Sequence, residues 1–162
     1  MTVRVQKEAI NLREKLSELE FDRVPFQKMP AGSVLQVVTH DSGSTATTTS
    51  TTWTATNASA TITPISTNSI IVAYFTGMIL KEGSTAEGQF EVRRDGSSIN
   101  NNNWSFGASN SVAVYGPYTI HTQDSPNTTS PVTYTLYFRL NIAGSTLYFY
   151  RDVRVTLMEI AQ

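Results

Sequence analysis

The feature that most restricts the possible folds is a strict alternation of apolar and polar side chains over residues 132–142. Successive side chains of a β-strand point to opposite faces, so this pattern puts one face of a strand into a core and the other toward solvent. The residues predicted to face the core are Val132, Tyr134, Leu136, Phe138, Leu140 and Ile142. The segment therefore predicts a half-buried strand, which only a fold with a β-sheet can use.

Most of the remaining chain is also β-like. Residues 69–80 form the longest apolar run, which predicts a central strand buried on both faces. Residues 88–94 alternate and are followed by Asp95-Gly96, the dipeptide most typical of a tight hairpin turn, so residues 97–106 should return as the paired strand. Other strands are predicted at residues 33–39, 50–56, 58–63, 111–122, 146–151 and 152–160, with loops at residues 41–49 and 124–131.

The fold class that follows is mainly β. Eight or nine short strands separated by turn signals predict an antiparallel β-sandwich of the jelly-roll or Greek-key type. Pro117 falls inside a predicted strand and indicates a bulge or an edge position there. Of the 25 charged residues, 11 lie in the first 31 positions, and this shift marks a domain boundary. We predict an N-terminal helix with an extended linker at residues 1–31 and a β-sandwich head domain at residues 32–162.

The N-terminal segment predicts an α-helix of short coiled-coil character. Its apolar residues recur at alternating spacings of four and three, which keeps them on one side of a helix and turned toward a partner helix. The residues of this seam are Val5, Ala9, Leu12, Leu16 and Leu19. In a parallel bundle, Glu8 would face Arg13 of a neighbouring helix. Lys15 would likewise face Glu20, so both pairs have opposite charge. We favour self-association through this helix; the alternative is an amphipathic helix that lies on its own domain.

The segment between this helix and the first strand, residues 22–32, predicts an extended linker. Val24 and Met29 each precede a proline, and pre-proline residues are pushed out of the helical region. The helix should therefore end near Asp22.

The sequence contains few groups arranged for catalysis. It has no cysteine, which excludes disulfides and thiolate chemistry, and neither His40 nor His121 has a histidine neighbour at metal-ligand spacing. A hydrolytic triad at His40-Asp41 is disfavoured because no Gly-x-Ser-x-Gly turn accompanies it. The acidic residues after Gly32 are scattered, and no glycine-rich phosphate loop is present. We therefore predict a protein that is not an enzyme and has no cofactor or metal ion.

Charge and hydropathy limit the expected partners. A net charge of -1 and a pI near 6.1 give no electrostatic reason to expect nucleic acid or an anionic membrane. The longest apolar run is broken by Thr76 and Gly77 and is far too short to span a bilayer. The N-terminus carries charged residues in place of the apolar run of a secretory signal. We expect a soluble chain, made without a cleaved signal peptide, that neither inserts into a membrane nor binds nucleic acid.

Four stretches carry a family resemblance: GSVLQVV at residues 32–38, ATITPISTNSIIVAYFTG at 60–77, FEVRRDG at 90–96 and RVTLMEIA at 154–161. In this order they resemble a β domain in virion proteins of tailed bacteriophages, including cyanobacterial and marine phages, which recurs in tail fibres and related appendages. The resemblance covers essentially residues 32–162. It implies a non-enzymatic structural protein of the virion, a homotrimer assembled in the host cytoplasm. Its N-terminal helix would anchor it to other virion proteins, and its β domain would form the head.

Three functions remain open at this point. The chain could be a short tail fibre that recognises a host-surface glycan or protein, a capsid decoration or cement protein of the same architecture, or a stand-alone carbohydrate-binding module. Sugar recognition commonly uses aromatic faces and amide groups, and these define a candidate receptor face. Its residues are Asn100, Asn101, Asn102, Trp104, Tyr115 and Tyr118. The plainer interpretation is that Trp104 belongs to the core and that the asparagines form a turn.

Overall fold

The computed structural model describes residues 28–83, 85–99, 104–107, 113–150 and 153–162. Within these ranges the chain forms two antiparallel sheets that enclose one hydrophobic cluster, the arrangement of the predicted β-sandwich. The strands are β1 (Val34–Ser42), β2 (Ala46–Thr48), β3 (Thr54–Ile62), β4 (Ile70–Gly83), β5 (Gly88–Arg94), β6 (Ser97–Ser98), β7 (Trp104–Phe106), β8 (Val114–Asp124), β9 (Val132–Leu140), β10 (Ser145–Phe149) and β11 (Val153–Ile160).

The first sheet, sheet A, is organised around β4. One edge of β4 pairs with β8, from Ile71 opposite Asp124 to Lys81 opposite Val114. The other edge of β4 pairs with β11 along one part and with β10 along the next. Strand β11 pairs in turn with β1, and β10 with β2. Strands β10 and β11 are therefore two parts of one interrupted strand, and so are β1 and β2.

The interruption between β10 and β11 is a bulge beside Gly77. Phe149 pairs with Ile79 and Arg154 pairs with Thr76. The first members of these two pairs are five residues apart along the chain, whereas their partners on β4 are only three residues apart. A Cβ atom at Gly77 would lie 2.9 Å from Cγ2 of Val153, the residue at which β11 begins. The absence of a side chain at Gly77 therefore makes room for the bulge.

The second sheet, sheet B, has the order β3-β9-β5, and the free edge of β5 pairs with β6 and β7. The turn between β5 and β6 is formed by Asp95 and Gly96, which have φ values of 49° and 82°. Two positive values are what a type I′ hairpin requires, so the predicted turn is confirmed. Apart from this hairpin and the interruptions within strands, each connection carries the chain to the other sheet.

The core lies between the two sheets. Every second residue of β9, from Val132 to Leu140, is buried, as its alternation predicts. Ile142 was expected to continue this row, but β9 ends at Leu140 and Ile142 is 49% exposed. At Gly88 a Cβ atom would lie 2.6 Å from Cδ1 of Leu147, so β5 and β10 approach closely across the core. The largest fully buried side chains include Phe75, Phe90, Tyr134, Phe138 and Phe149.

Three strand predictions differ from the structure. Strand β4 is central, as expected, but the side chains on its outer face are only half-buried, so the expectation of burial on both faces is wrong for a single chain. The two strands predicted at residues 50–56 and 58–63 are one strand, β3, whose register with β9 shifts between Ala55 and Ser59. The loop predicted at residues 41–49 contains β2, because the threonines there pair with β10.

Three of the stretches that carry the family resemblance meet at Glu159. Its carboxylate is fully buried and accepts hydrogen bonds from the backbone N–H groups of Ile65 at 2.8 Å and Ser66 at 3.2 Å. The side-chain amide of Gln36 donates to the other carboxylate oxygen at 2.6 Å. The same amide group donates to the carbonyl of Thr63 at 2.7 Å. Strands β1 and β11 and the β3–β4 loop are thereby joined at one end of the sandwich.

The predicted N-terminal helix lies outside the described residues, so the division into residues 1–31 and 32–162 stays a prediction. At the start of the described chain, the N–H of Ser33 donates to the carbonyl of Pro30 at 3.1 Å, and Gly32 has a φ of 88°. These residues form a turn, not the extended segment expected there, because glycine permits the positive φ. The N–H of Gly32 donates to the carbonyl of Ala161 at 2.8 Å, so the chain enters sheet A beside the end of β11.

Candidate functional site

The outer face of sheet A carries the chemistry that a partner could use. The strand register aligns its outward side chains in rows, and a polar row crosses the middle of the face. The polar row consists of Asp41, Arg154, Thr76 and Thr119. The guanidinium of Arg154 donates to both carboxylate oxygens of Asp41, at 2.8 and 3.2 Å, and these bonds hold the pKa of Asp41 below its ordinary value. On either side of this row the face has a different composition.

The part of this face next to the chain entry is apolar, and we call it the apolar end. Val37, Met158 and Val72 lie in one row across three strands. Ile160 and Ile70 lie opposite each other in the next row. Val37 is 53% exposed and the other four side chains are half-buried. The solvated face of an antiparallel sheet is normally polar, so the apolar end is suited to being covered by another molecule.

Three tyrosines gather on the opposite part of the face, and we call Tyr115, Tyr148 and Tyr150 the tyrosine cluster. Tyr115 and Tyr148 flank Leu80 in one row. The rings of Tyr115 and Tyr150 meet edge to face with centroids 5.7 Å apart, and those of Tyr148 and Tyr150 stack at 6.2 Å. Tyr115 is 60% exposed, so the cluster presents aromatic surface to solvent.

A shallow cavity of about 360 Å³ lies beside the tyrosine cluster, and we call it the Glu82 cavity. Its lining residues are Thr49, Glu82, Gly83, Gly144, Ser145 and Thr146. Glu82 and Thr146 lie opposite each other, two residues beyond the pair formed by Leu80 and Tyr148. The hydroxyl of Tyr148 donates a hydrogen bond to the Glu82 carboxylate, and this bond is the main reason that the pKa of Tyr148 is raised. The cavity and the cluster are therefore one continuous surface.

The outer face of sheet B is different, because its charged and aromatic groups already bind one another. The guanidinium carbon of Arg139 lies 4.5 Å from the ring centre of Trp53, and that of Arg93 lies 4.4 Å from the ring centre of Tyr137. Arg93 also donates to the carboxylate of Glu91. Cation–π contacts of this kind stabilise a sheet surface. We interpret the outer face of sheet B as a surface whose charged and aromatic side chains stabilise the sheet by contacting one another.

The structure separates the residues of the predicted receptor face. Tyr115 and Tyr118 both lie on β8 but point to opposite faces, since they are three residues apart. Tyr118 packs against Phe90 with ring centroids 5.5 Å apart, and its burial raises its pKa. Trp104 lies on β7 in sheet B and packs, half-buried, against the core. The three asparagines, Asn100, Asn101 and Asn102, lie outside the described residues. Tyr115 is the member of the set that the structure places in the tyrosine cluster.

Tyr148, Tyr150 and Glu82 are members of the site that the sequence reasoning missed. The alternation within β10 carried a usable signal, because Leu147 and Phe149 are buried while Tyr148 points to the other face. Glu82 was missed because the strand was predicted to end at residue 80, whereas β4 continues to Gly83.

Groups suited to metal binding do not cluster in the part of the chain that the structure describes. No three or more of its histidine, aspartate and glutamate side chains come together so as to hold a metal ion. His40 and His121 are both exposed, and His121 stacks on Tyr74 with ring centroids 6.0 Å apart. The same ranges contain no helix long and apolar enough to cross a bilayer. The expectation that the chain is not an enzyme stays a prediction.

Comparison with known proteins yields distant structural likeness. No protein-family model and no curated protein sequence matches the chain. Among solved structures, dimeric latent PorU from Porphyromonas gingivalis is similar with a TM-score of 0.42 and 9% identity, over 82% of this chain and 14% of PorU. A mutant VP2 protein of infectious bursal disease virus is similar with a TM-score of 0.36 and 14% identity, over 78% of this chain and 36% of VP2. The VP2 subviral particle of the same virus has a TM-score of 0.36 and 11% identity, over 78% and 37% of the two chains. The present chain thus spans well under half of each, and at these TM-scores the likeness carries no argument about function.

Proposed function

We propose that this chain is a non-enzymatic structural protein of a bacteriophage virion, a short trimeric tail fibre. The N-terminal helix attaches it to other virion proteins, and the β-sandwich forms a head that faces the host surface. The proposal rests on the four resembling sequence stretches and on the surface of sheet A. It assigns the apolar end to contacts between copies of the chain.

The strand order supports a jelly roll for this head. When the interrupted strands β1–β2, β6–β7 and β10–β11 are each counted once, four strands lie in each sheet. The chain then changes sheet at every connection except the β5–β6 hairpin. Jelly rolls with this kind of double Greek-key path recur in viral capsid and lectin domains. Fold alone does not define a function, so the surface must carry the proposal.

The observation that carries the proposal is the apolar end of sheet A. It is a solvent-facing part of an antiparallel sheet, yet it presents Val37, Val72 and Met158 side by side. It also lies next to Gly32, where the chain arrives from the predicted coiled-coil helix. A coiled coil would hold these entry points near one another, so the apolar ends of neighbouring copies would face each other.

The apolar end of sheet A is too small to hold a trimer together without further contacts. Three strands about 4.8 Å apart, covered over about four residues of 3.3 Å each, give roughly 200 Å² in projection. Stable interfaces bury about 800 Å² per partner. The apolar end should therefore need the helical seam as well, and disruption of either should weaken the trimer.

The test is the solution mass of the full chain, measured by light scattering over a range of concentrations. We expect a trimer for the natural sequence and dissociation for both Leu16→Glu in the seam and Val37→Glu in the apolar end. Val37 is already 53% exposed in one chain, so its replacement should leave the fold intact. The matched control is Thr61→Glu on the exposed outer side of β3, which should remain a trimer. A monomer for the natural sequence at every concentration would overturn the proposal.

A capsid decoration protein is the second candidate, because the apolar end could equally seat each copy on a capsid lattice. Immunogold electron microscopy of phage particles distinguishes the two. Label at the tail supports the fibre, and label spread over the capsid supports decoration.

A further inference from the structure

We propose that the tyrosine cluster and the Glu82 cavity together form a binding site for a neutral saccharide. The inference rests on the proposed function in that it supplies the ligand class for a head that faces a host surface. It concerns residues on sheet A, away from the apolar end assigned to assembly. The two assignments can therefore fail separately.

The first support is continuity between aromatic and polar groups. Tyr115, Leu80 and Tyr148 share one row, and Glu82 with Thr146 forms the row beyond it. A pyranose has the same division, since its C–H surface packs on an aromatic ring while its hydroxyls seek hydrogen-bond partners. The exposed ring of Tyr115 offers the platform, and the cavity alongside offers the polar contacts.

The second support is the chemistry of the cavity lining. Glu82 brings a carboxylate, Thr49 and Thr146 bring hydroxyls, and the glycines leave backbone groups uncovered by side chains. A carboxylate can accept two hydrogen bonds from neighbouring hydroxyls of one sugar, and bonds to a charged acceptor are the stronger kind. Glu82 also lies two residues beyond Leu80 on β4, so its carboxylate adjoins the row that carries Tyr115 and Tyr148.

The third support concerns the charge of the ligand. Glu82 is the one charged side chain among the residues that line the cavity in the described chain. A uronic or sialic acid would place its own carboxylate against Glu82 without a basic partner in this lining, which is unfavourable. A neutral hexose or N-acetylhexosamine meets no such repulsion. The site should therefore discriminate against acidic sugars.

The experiment is saturation-transfer difference NMR on the full chain with single sugars as probes. The neutral probes are the methyl glycosides of glucose, galactose, mannose and N-acetylglucosamine, and the acidic probes are glucuronic acid and N-acetylneuraminic acid. We expect at least one neutral sugar to receive saturation and to bind with an affinity of about millimolar order, whereas the acidic sugars do not. Absence of transfer to every neutral probe, or equal binding of the acidic ones, would overturn the inference.

Variants locate the binding. Tyr115→Ala should weaken the neutral sugar about tenfold by removing the exposed ring. Glu82→Gln keeps the shape but removes the charge, so it should weaken the neutral sugar by about tenfold or more and relax the exclusion of glucuronic acid. Tyr74→Phe is the matched control on the same face, beyond the polar row, and should bind like the natural chain. Undiminished binding by Tyr115→Ala and Glu82→Gln, with folding verified by circular dichroism, would place the sugar elsewhere and overturn the site.

Light scattering on the same samples separates this inference from the proposed function. If the chain is a monomer and binds a neutral sugar at Tyr115, the proposed trimer is refuted and the proposed sugar site is supported. If the chain is a trimer and binds none of the neutral sugars, the proposed sugar site is refuted and the proposed assembly is supported.

Discussion

Replacement of Glu159 should show how much one buried carboxylate contributes to this sandwich. The side chain is fully buried, and its two oxygens accept from two backbone N–H groups and one amide. In Glu159→Ala the N–H groups of Ile65 and Ser66 lose their acceptor, and because these two hydrogen bonds are only partly buried, each loss should cost about 1 kcal/mol. Gln36 is less affected because it is partly exposed and keeps its bond to a backbone carbonyl. We therefore expect a loss of about 2–3 kcal/mol in the free energy of unfolding.

The variant Glu159→Gln separates shape from charge. Its amide oxygen can still accept from Ile65 and Ser66, but its NH₂ group would meet the NH₂ group of Gln36, so one charge-assisted bond is lost. The expected loss is about 1–2 kcal/mol. Gln36→Ala, which leaves both backbone bonds intact, should cost about 1 kcal/mol and serves as the control.

The measurement is urea-induced unfolding at neutral pH, followed by tryptophan fluorescence. All variants are compared at one fixed protein concentration, because the stability of a chain that self-associates depends on its concentration. We expect the natural chain to be the most stable, Glu159→Gln and Gln36→Ala to be intermediate, and Glu159→Ala to be the least stable. A loss below about 1 kcal/mol for Glu159→Ala would refute the reasoning, since it would mean that these donors find other partners at no cost. A loss for Glu159→Gln equal to that for alanine would show that charge, and not the count of bonds, controls this junction.

Three further substitutions test other parts of the fold. Gly88→Ala should destabilise by about 1–3 kcal/mol, because its methyl group would lie 2.6 Å from Cδ1 of Leu147 in a packed core, and an unchanged urea midpoint would contradict this. Tyr134→Phe should cost about 1–2 kcal/mol, because the Tyr134 hydroxyl donates at 2.8 Å to Asp124 and so ties β9 to β8 across the sandwich. A variant as stable as the natural chain would show that this hydroxyl contributes nothing. Asp41→Asn should lower stability at neutral pH only slightly, because its ion pair with Arg154 is exposed to water. Because the folded-state pKa of Asp41 is lowered, its contribution is present above the ordinary value of 3.8 and lost as the pH falls below it. A thermal-unfolding difference between this variant and the natural chain that grows toward acid would contradict the assignment.

Local features of the sequence predicted the parts of this fold that are decided locally. The period of two in β9 needs only that one face be buried, and the Asp95-Gly96 turn needs only two residues that tolerate positive φ. Both were therefore readable in advance. The sandwich itself followed from the number and spacing of such strands.

Long-range register was not readable in the same way. The threonine-rich sequence of β2 is typical of a loop, and only its pairing with β10 makes it a strand. The apolar sequence of β4 is typical of a strand buried on both faces, but in the sandwich its outer face is only half-buried. The candidate site shows both limits. Tyr115 and Tyr118 could have been assigned to opposite faces from their spacing alone, whereas the approach of Tyr150 to Tyr115 depends on a bulge that no short segment specifies.

The bulge beside Gly77 has a consequence for how this surface could change over time. Strand β11 pairs with β1 at the apolar end, and β10 pairs with β2 next to the tyrosine cluster, so a break in pairing separates two stretches of the same sheet. A bulge absorbs small shifts in register, so altered or lengthened segments at residues 43–49 and 141–146 can reshape the cavity without moving β11 against β1. Under the proposed function, such changes would alter the sugar site and leave the proposed subunit contacts at the apolar end as they are.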